Sequence, residues 1–181
     1  MAIDIDKYYK ALENAETKAE IDQGKSNYIR TRANKTEGGS SAFGPVQITG
    51  TLAEGAHKNG YLKESKEFYE KEMAPRYKKM LYHGNNKGKV ADYNPRYDYG
   101  GDAEFDPKKH AQSYEVFAKE VMTGIDKEAK GDEKEFVRKW RGRKESQDPE
   151  YWKRMEEGKA KFDKEHNYDR ELAKKMEDGL Q

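Results

Sequence analysis

The chain has 181 residues with 36 basic and 35 acidic side chains, a formal net charge of +1; it lacks the basic excess of a dedicated nucleic-acid binder and steers weakly toward an acidic polymer. It has no cysteine, which excludes disulfides and thiolate metal sites. Leu, Ile, Val and Phe supply only 23 residues, a proportion at which disorder becomes an option, but the small net charge and the 13 Tyr, 6 Phe and 2 Trp predict one folded domain with a thin aromatic core.

In chain order the reading is all-α. MAIDIDKYYK has no apolar run, so neither a signal peptide nor a membrane span is expected. Residues 1–24 form a polar segment with helical potential over Asp6–Ile21 and few apolar anchors. Asn27 can cap a short helix to about Thr36 with Ile29 and Ala33 on one face. Pro45 suits a first helical position, and Ile48, Leu52 and Ala56 make a stripe that Gly60 ends. A third helix is expected from about Glu64 to Tyr82, carrying Phe68, Met73, Tyr77, Met80 and Leu81, with Pro75 kinking it and Gly84 stopping it. Residues 84–106 are expected to be a long ordered loop of functional type. Asp106-Pro107 starts the most regular amphipathic helix, with Tyr114, Phe117, Ala118, Val121, Met122 and Ile125 inward. Asp132 and Glu135 read as a capping box for a helix bearing Phe136, Val137 and Trp140. Asp148-Pro149 starts another with Tyr151, Trp152 and Met155, both tryptophans being expected in the core. From Glu156 to Asp178 the chain reads as a solvated helix laced with i,i+4 charge pairs.

One stretch stands apart, TEGGSSAFGPVQIT over Thr36–Thr49. Glu37 lies four and eight residues beyond Ala33 and Ile29, on their inward face, and enters a glycine bend. Desolvation there, by neighbours such as Phe43, would raise its pKa as a general acid working near neutrality requires. A solvated glutamate at a helix end is the competing reading.

Ser41-Ala42-Phe43-Gly44-Pro45-Val46-Gln47-Ile48 resembles the G-A-x-G-L-M-Q-I signature of the lytic transglycosylases, members of the lysozyme-like superfamily that cleave peptidoglycan. The match falls on Ser41, Ala42, Gly44, Gln47 and Ile48. The interval from Glu37 to Gly44 is shorter than in the bacterial enzymes, and Pro45-Val46 replaces Leu-Met. Ala91-Asp92-Tyr93-Asn94 is similar to the family's A-Y-N element, with Pro95 where a small residue is usual. Trp140-Arg141-Gly142 followed by Tyr151-Trp152 is a weaker echo of the closing segment of phage relatives. The likeness spans about Tyr28 to Met155.

What the resemblance implies is a lysozyme-like single domain whose long loop lines a glycan cleft, with a polar segment at 1–24, a catalytic domain over 25–158 and a charged helical tail over 159–181. It implies Glu37 as the catalytic acid, and Ser41, Gly44, Gln47, Tyr93 and Asn94 as substrate-binding residues, Gln47 bonding the sugar and Tyr93 and Asn94 orienting the acetamido group. Tyr97 and Tyr99 would be stacking faces. The partner is a peptidoglycan glycan strand, with other virion proteins as further candidates; no nucleic acid, membrane, metal or cofactor is expected. Such a protein, made in the host cytoplasm, would be a phage endolysin or virion-associated murein hydrolase acting at the cell wall. A hydrolase using a second carboxylate from Asp92, Asp98, Asp102 or Glu104 stays open, as does a non-catalytic helical virion protein. The four histidines show no pair at metal-ligand spacing.

Overall fold

The computed structural model describes residues 2–29, 42–77, 105–142 and 145–180. The described residues are mainly helical: α1 (Ile5–Asp22), α2 (Gly50–Lys58), α3 (Lys66–Phe68) running into a π-helical turn (Tyr69–Met73), α4 (Pro107–Ala129), α5 (Glu133–Arg141), a 3-10 turn (Glu145–Gln147) and α6 (Pro149–Gly179). The all-α expectation holds.

The N-terminal segment is the largest departure from the sequence reading. Tyr8, Tyr9, Ala11, Leu12 and Ala15 are buried in the same core as α4, α5 and α6. Tyrosines and alanines, rather than large aliphatics, do the burying, which is why its apolar face is inconspicuous in sequence. α1 crosses α6 at close range. Gly158 makes this possible: a Cβ there would lie 2.8 Å from Ala11 Cα and 2.9 Å from Asn14 Cβ. Polar groups lock the crossing. Asn14 Nδ2 donates to Arg154 O (2.6 Å), Arg154 Nε donates to Ala15 O (2.9 Å), and the buried Tyr151 hydroxyl donates to Glu16 Oε1 (2.8 Å). Beyond Ala160 the helix is solvated, as its composition predicts, and Tyr168, Leu172 and Met176 are exposed.

Helix starts follow the expected chemistry in part. Asp106 accepts from Lys108 N with Pro107 in the first turn, and Asp132 accepts from Glu135 N (2.9 Å). The reciprocal half of the capping box is absent, since the Glu135 carboxylate pairs with Arg138. Asp148 likewise turns to Arg141 Nε (2.9 Å) instead of capping α6.

Pro75 acts earlier than a simple kink. Its ring would collide with the carbonyl four residues back, and the chain widens just before it: Ala74 N–H reaches Tyr69 O, five residues away. Glu120 of α4 fastens the loop before this helix by accepting from the N–H groups of Lys63 (2.8 Å), Glu64 (3.3 Å) and Ser65 (2.7 Å). Burial pushes its pKa up, but these donors outweigh it and hold the carboxyl below its ordinary range. The expected helix from Asn27 is not formed through Ile29, where the chain is irregular and bends; its remainder, with Met80, Leu81, Gly84 and the loop up to Glu104, lies outside the described residues.

The α1–α6 crossing generates a prediction. Gly158→Ala raises helix propensity by up to about 1 kcal/mol, yet it should lower the urea midpoint, because backbone cannot yield to the new methyl and overpacking costs about 1–3 kcal/mol. A raised midpoint would show that the two helices are not in contact there.

Candidate active site

The stretch singled out by its composition does not begin a helix at Pro45. Phe43 and Ile48 pair as a minimal antiparallel ladder, Phe43 N to Ile48 O and Ile48 N to Phe43 O both at 3.1 Å. Between them Gly44-Pro45-Val46-Gln47 closes a β-turn with Gln47 N donating to Gly44 O at 2.9 Å. Proline's fixed φ serves the second position of such a turn as well as it serves a first helical turn, and the sequence alone does not separate the two uses. Helix α2 begins five residues later, where the Thr49 side chain accepts from Leu52 N.

All six hairpin residues are buried, so their main-chain polar groups need partners inside the protein. Phe43 O also accepts from the Tyr114 hydroxyl (2.8 Å) and Ile48 O from the Tyr77 hydroxyl (2.8 Å). Pro45 O accepts from Thr17 Oγ1 (2.9 Å), and Val46 O from Trp140 Nε1 (3.3 Å). Thr17 is brought into reach by a local break in α1, where its φ and ψ are −131° and 25°. The donors thus come from α1, α4, α5 and the helical turn before residue 78. None was singled out as a site residue from sequence. Their one local signal is that a buried Tyr or Trp must place its polar atom somewhere.

Of the predicted site residues, Gly44 and Gln47 lie within the described chain. Gly44 has φ +86°, and a Cβ there would run into the ring of Tyr114. Gln47 has φ +52°, rare for a residue with a side chain. Its side chain is 7% exposed, and its Nε2 donates to Ile29 O (2.6 Å) and Gly44 O (2.9 Å). The sequence reading has this amide bonding a sugar; in the structure its N–H groups are committed to the hairpin. Glu37, Ser41, Tyr93, Asn94, Tyr97 and Tyr99 lie outside the described residues, as do Asp92, Asp98, Asp102 and Glu104.

The described residues do fix where the two segments carrying those groups leave and rejoin the core. Segment 30–41 departs after Ile29 and returns at Ala42; Ile29 O accepts both Gly44 N (3.0 Å) and Gln47 Nε2. Segment 78–104 departs after Tyr77, bonded to Ile48 O, and returns at Phe105, whose ring packs 5.2 Å from both Phe43 and Tyr28. Arg76 sits 5.3 Å over the same Phe105 ring. All four ends therefore meet at one aromatic cluster around the hairpin. Tyr28, beside Ile29, has its hydroxyl pKa pushed up to about 12, first by burial and then by the charges of Glu13 and Glu115.

A groove of about 320 Å³ opens on the α2 side of the hairpin, between α2, α4 and α5. Trp140 joins the two, lining the groove while bonding Val46 O. No metal-binding group of His, Asp and Glu exists among the described residues. The chain matches no protein-family model, no curated protein and no solved structure.

Two predictions follow from the buried hairpin. Gln47→Ala removes two hydrogen bonds and keeps the left-handed backbone, so it should cost about 2–3 kcal/mol in chemical unfolding. Gln47→Gly loses the same bonds but relaxes the backbone, and should cost roughly 1 kcal/mol less; equal losses would mean that Gln47 is not left-handed. The Tyr77, Tyr114 and Tyr151 hydroxyls, all fully buried donors, have pKa values raised well above the ordinary by burial. Since the folded values exceed the unfolded ones, their contribution is complete below about pH 10 and is lost as pH climbs toward the folded values. Absorbance at 295 nm should register these tyrosines only together with unfolding above that pH; their ionisation near pH 10 in intact protein would contradict the burial.

Proposed function

We propose that this protein cleaves the glycan strand of peptidoglycan by the single-carboxylate route of the lytic transglycosylases, with Glu37 as acid and then base. The observation that supports this reading most is the convergence on one hairpin: the segment bearing Glu37 and the segment bearing Tyr93 and Asn94 both start and finish at the Phe43–Phe105 cluster. The two segments thereby leave and rejoin the core around a common point, as opposite walls of one cleft require. The hairpin itself is the Gly-x-x-Gln element of the resemblance. Its burial recasts Gly44 and Gln47 as groups that hold the turn against which the acid-bearing segment ends.

In this reaction protonated Glu37 gives its proton to the oxygen linking N-acetylmuramic acid to N-acetylglucosamine. The acetamido oxygen of the muramoyl residue bonds to C1 as the C1–O bond breaks, and the other sugar leaves as an alcohol. The Glu37 carboxylate then takes the proton of the C6 hydroxyl, whose oxygen displaces the acetamido oxygen at C1. The product is a 1,6-anhydro sugar, no water is consumed, and Glu37 ends protonated as it began. A glutamate in this role needs a pKa lifted by desolvation. Tyr93 and Asn94 would orient the acetamido group, and Ser41, Tyr97 and Tyr99 would line the strand. The protein would act at the bacterial cell wall, as a phage endolysin or a virion-borne murein hydrolase.

The experiment is release of soluble fragments from purified peptidoglycan, with product ends analysed by mass. Wild type should give anhydro ends, and Glu37→Gln should retain its fold while losing at least about 100-fold in rate. Reducing ends would instead indicate a hydrolase with a second carboxylate. An active Glu37→Gln would remove the catalytic assignment, and an inert wild type would favour a structural virion protein.

A further inference from the structure

Helix α2 contains a glycine that no described neighbour requires. Gly55 lies one turn from the end of α2, and a Cβ placed on it meets nothing within 4 Å. Its backbone is ordinary helix, without the positive φ that makes glycine necessary at Gly44. Glycine inside a helix costs about 0.5–1 kcal/mol relative to alanine. Gly158 and Gly124 repay that cost internally, the first against α1 and the second beneath the Tyr61 ring. Among the described residues, nothing offsets it at Gly55.

What Gly55 does face is the groove of about 320 Å³, a volume within the range of small-ligand sites. One wall is Tyr61, with Gly124 directly against its ring. Trp140 also lines it, held in place by its bond to Val46 O and by stacking on Phe136 at 5.9 Å. The lining also holds an acceptor and a donor: Glu128 Oε1 takes the Tyr61 hydroxyl at 2.9 Å, and Lys139 Nζ stands 3.9 Å from Glu128 Oε2. Thr51 and Asn59 add a hydroxyl and an amide at the rim. Aromatic surface flanked by paired, net-neutral polar groups suits an uncharged ring bearing hydroxyls and amides. It does not suit a phosphate or a nucleic acid, for which no surplus positive charge is present. A floor without a side chain lets such a ring lie close to the helix backbone.

We propose that this groove is a binding subsite for an N-acetylated sugar ring, with Gly55 as its floor and Tyr61, Glu128, Lys139 and Trp140 as its walls. The choice of ligand rests on the glycan-cleaving reading above; the existence of a site rests on Gly55 and the groove alone. The subsite would hold a stretch of glycan on the α2 side of the hairpin, apart from the residues that carry the chemistry.

The test uses the full chain and chitotetraose, a soluble uncharged oligomer of N-acetylglucosamine, titrated while amide NMR shifts and tryptophan fluorescence are followed. Saturable shifts at Thr51, Gly55, Asn59 and Tyr61 are expected. Gly55→Leu fills the floor and should weaken this binding at least tenfold while raising the melting temperature, because leucine is the better helix former; loss of binding therefore cannot come from unfolding. Equal binding by wild type and Gly55→Leu, or no saturable shift at those amides, overturns the proposal. Cleavage of peptidoglycan, scored on the same preparations, keeps the two readings separate. Cleavage without groove binding removes the subsite and leaves the enzyme, whereas groove binding without cleavage removes the enzyme and leaves the subsite. If neither occurs, both fall.

Discussion

A hairpin of six residues, Phe43–Ile48, is buried among described residues that are otherwise mainly helical, and that is the constraint on which the rest depends. Helices satisfy their own main chain; a short hairpin in a core does not, and each unmet carbonyl would cost about 1–3 kcal/mol. The solution is distributed. Hydroxyls from Thr17, Tyr77 and Tyr114 and the indole N–H of Trp140 reach the hairpin from separate parts of the chain, and the amide of Gln47 bonds Gly44 O from within it. Each donor is the polar tip of a side chain whose body is already core. The aromatic composition therefore does two jobs at once, supplying buried area where Leu, Ile and Val are few and supplying donors that those residues lack.

On the proposed reading, this arrangement links fold to function by geometry. Because Ile29 O is held by the hairpin and Phe105 is packed on it, the two segments that carry the candidate catalytic and substrate-binding residues are anchored at one place. A reaction relying on one carboxylate and its positioning neighbours needs such common anchoring, since small misplacement of reacting groups is expensive in rate. On the α2 side, the same Trp140 that closes the hairpin borders the groove with the unrepaid glycine. Rigidity at the hairpin would thus serve both places.

Much of the helical frame was legible in the sequence. Asp106-Pro107 and Asp132 mark helix starts through local capping chemistry, and the periodicity of Tyr114, Phe117, Val121 and Ile125 places α4 correctly. The solvated end of α6 follows from its charges. What the sequence does not reveal is what depends on distant partners. Pro45 was read as a helix start because local rules allow either use, and the turn is chosen by Thr17, Tyr114 and Trp140, which lie 28, 69 and 95 positions away. α1 was set apart because its buried face is made of tyrosine, alanine and asparagine, and its necessity appears only when Gly158 lets α6 approach. Gln47 stood out by motif, yet its amide turned inward, since a left-handed residue inside a core has main-chain carbonyls nearer than any solvent-borne ligand.

The most direct test of the hairpin's central place is native-state hydrogen exchange of the Phe43, Gln47 and Ile48 amides under increasing urea. If the hairpin is tied to four parts of the chain at once, these amides exchange only when the whole protein unfolds, with the free energy and urea dependence of global unfolding. Exchange through a local opening, at lower free energy and with little urea dependence, would contradict it.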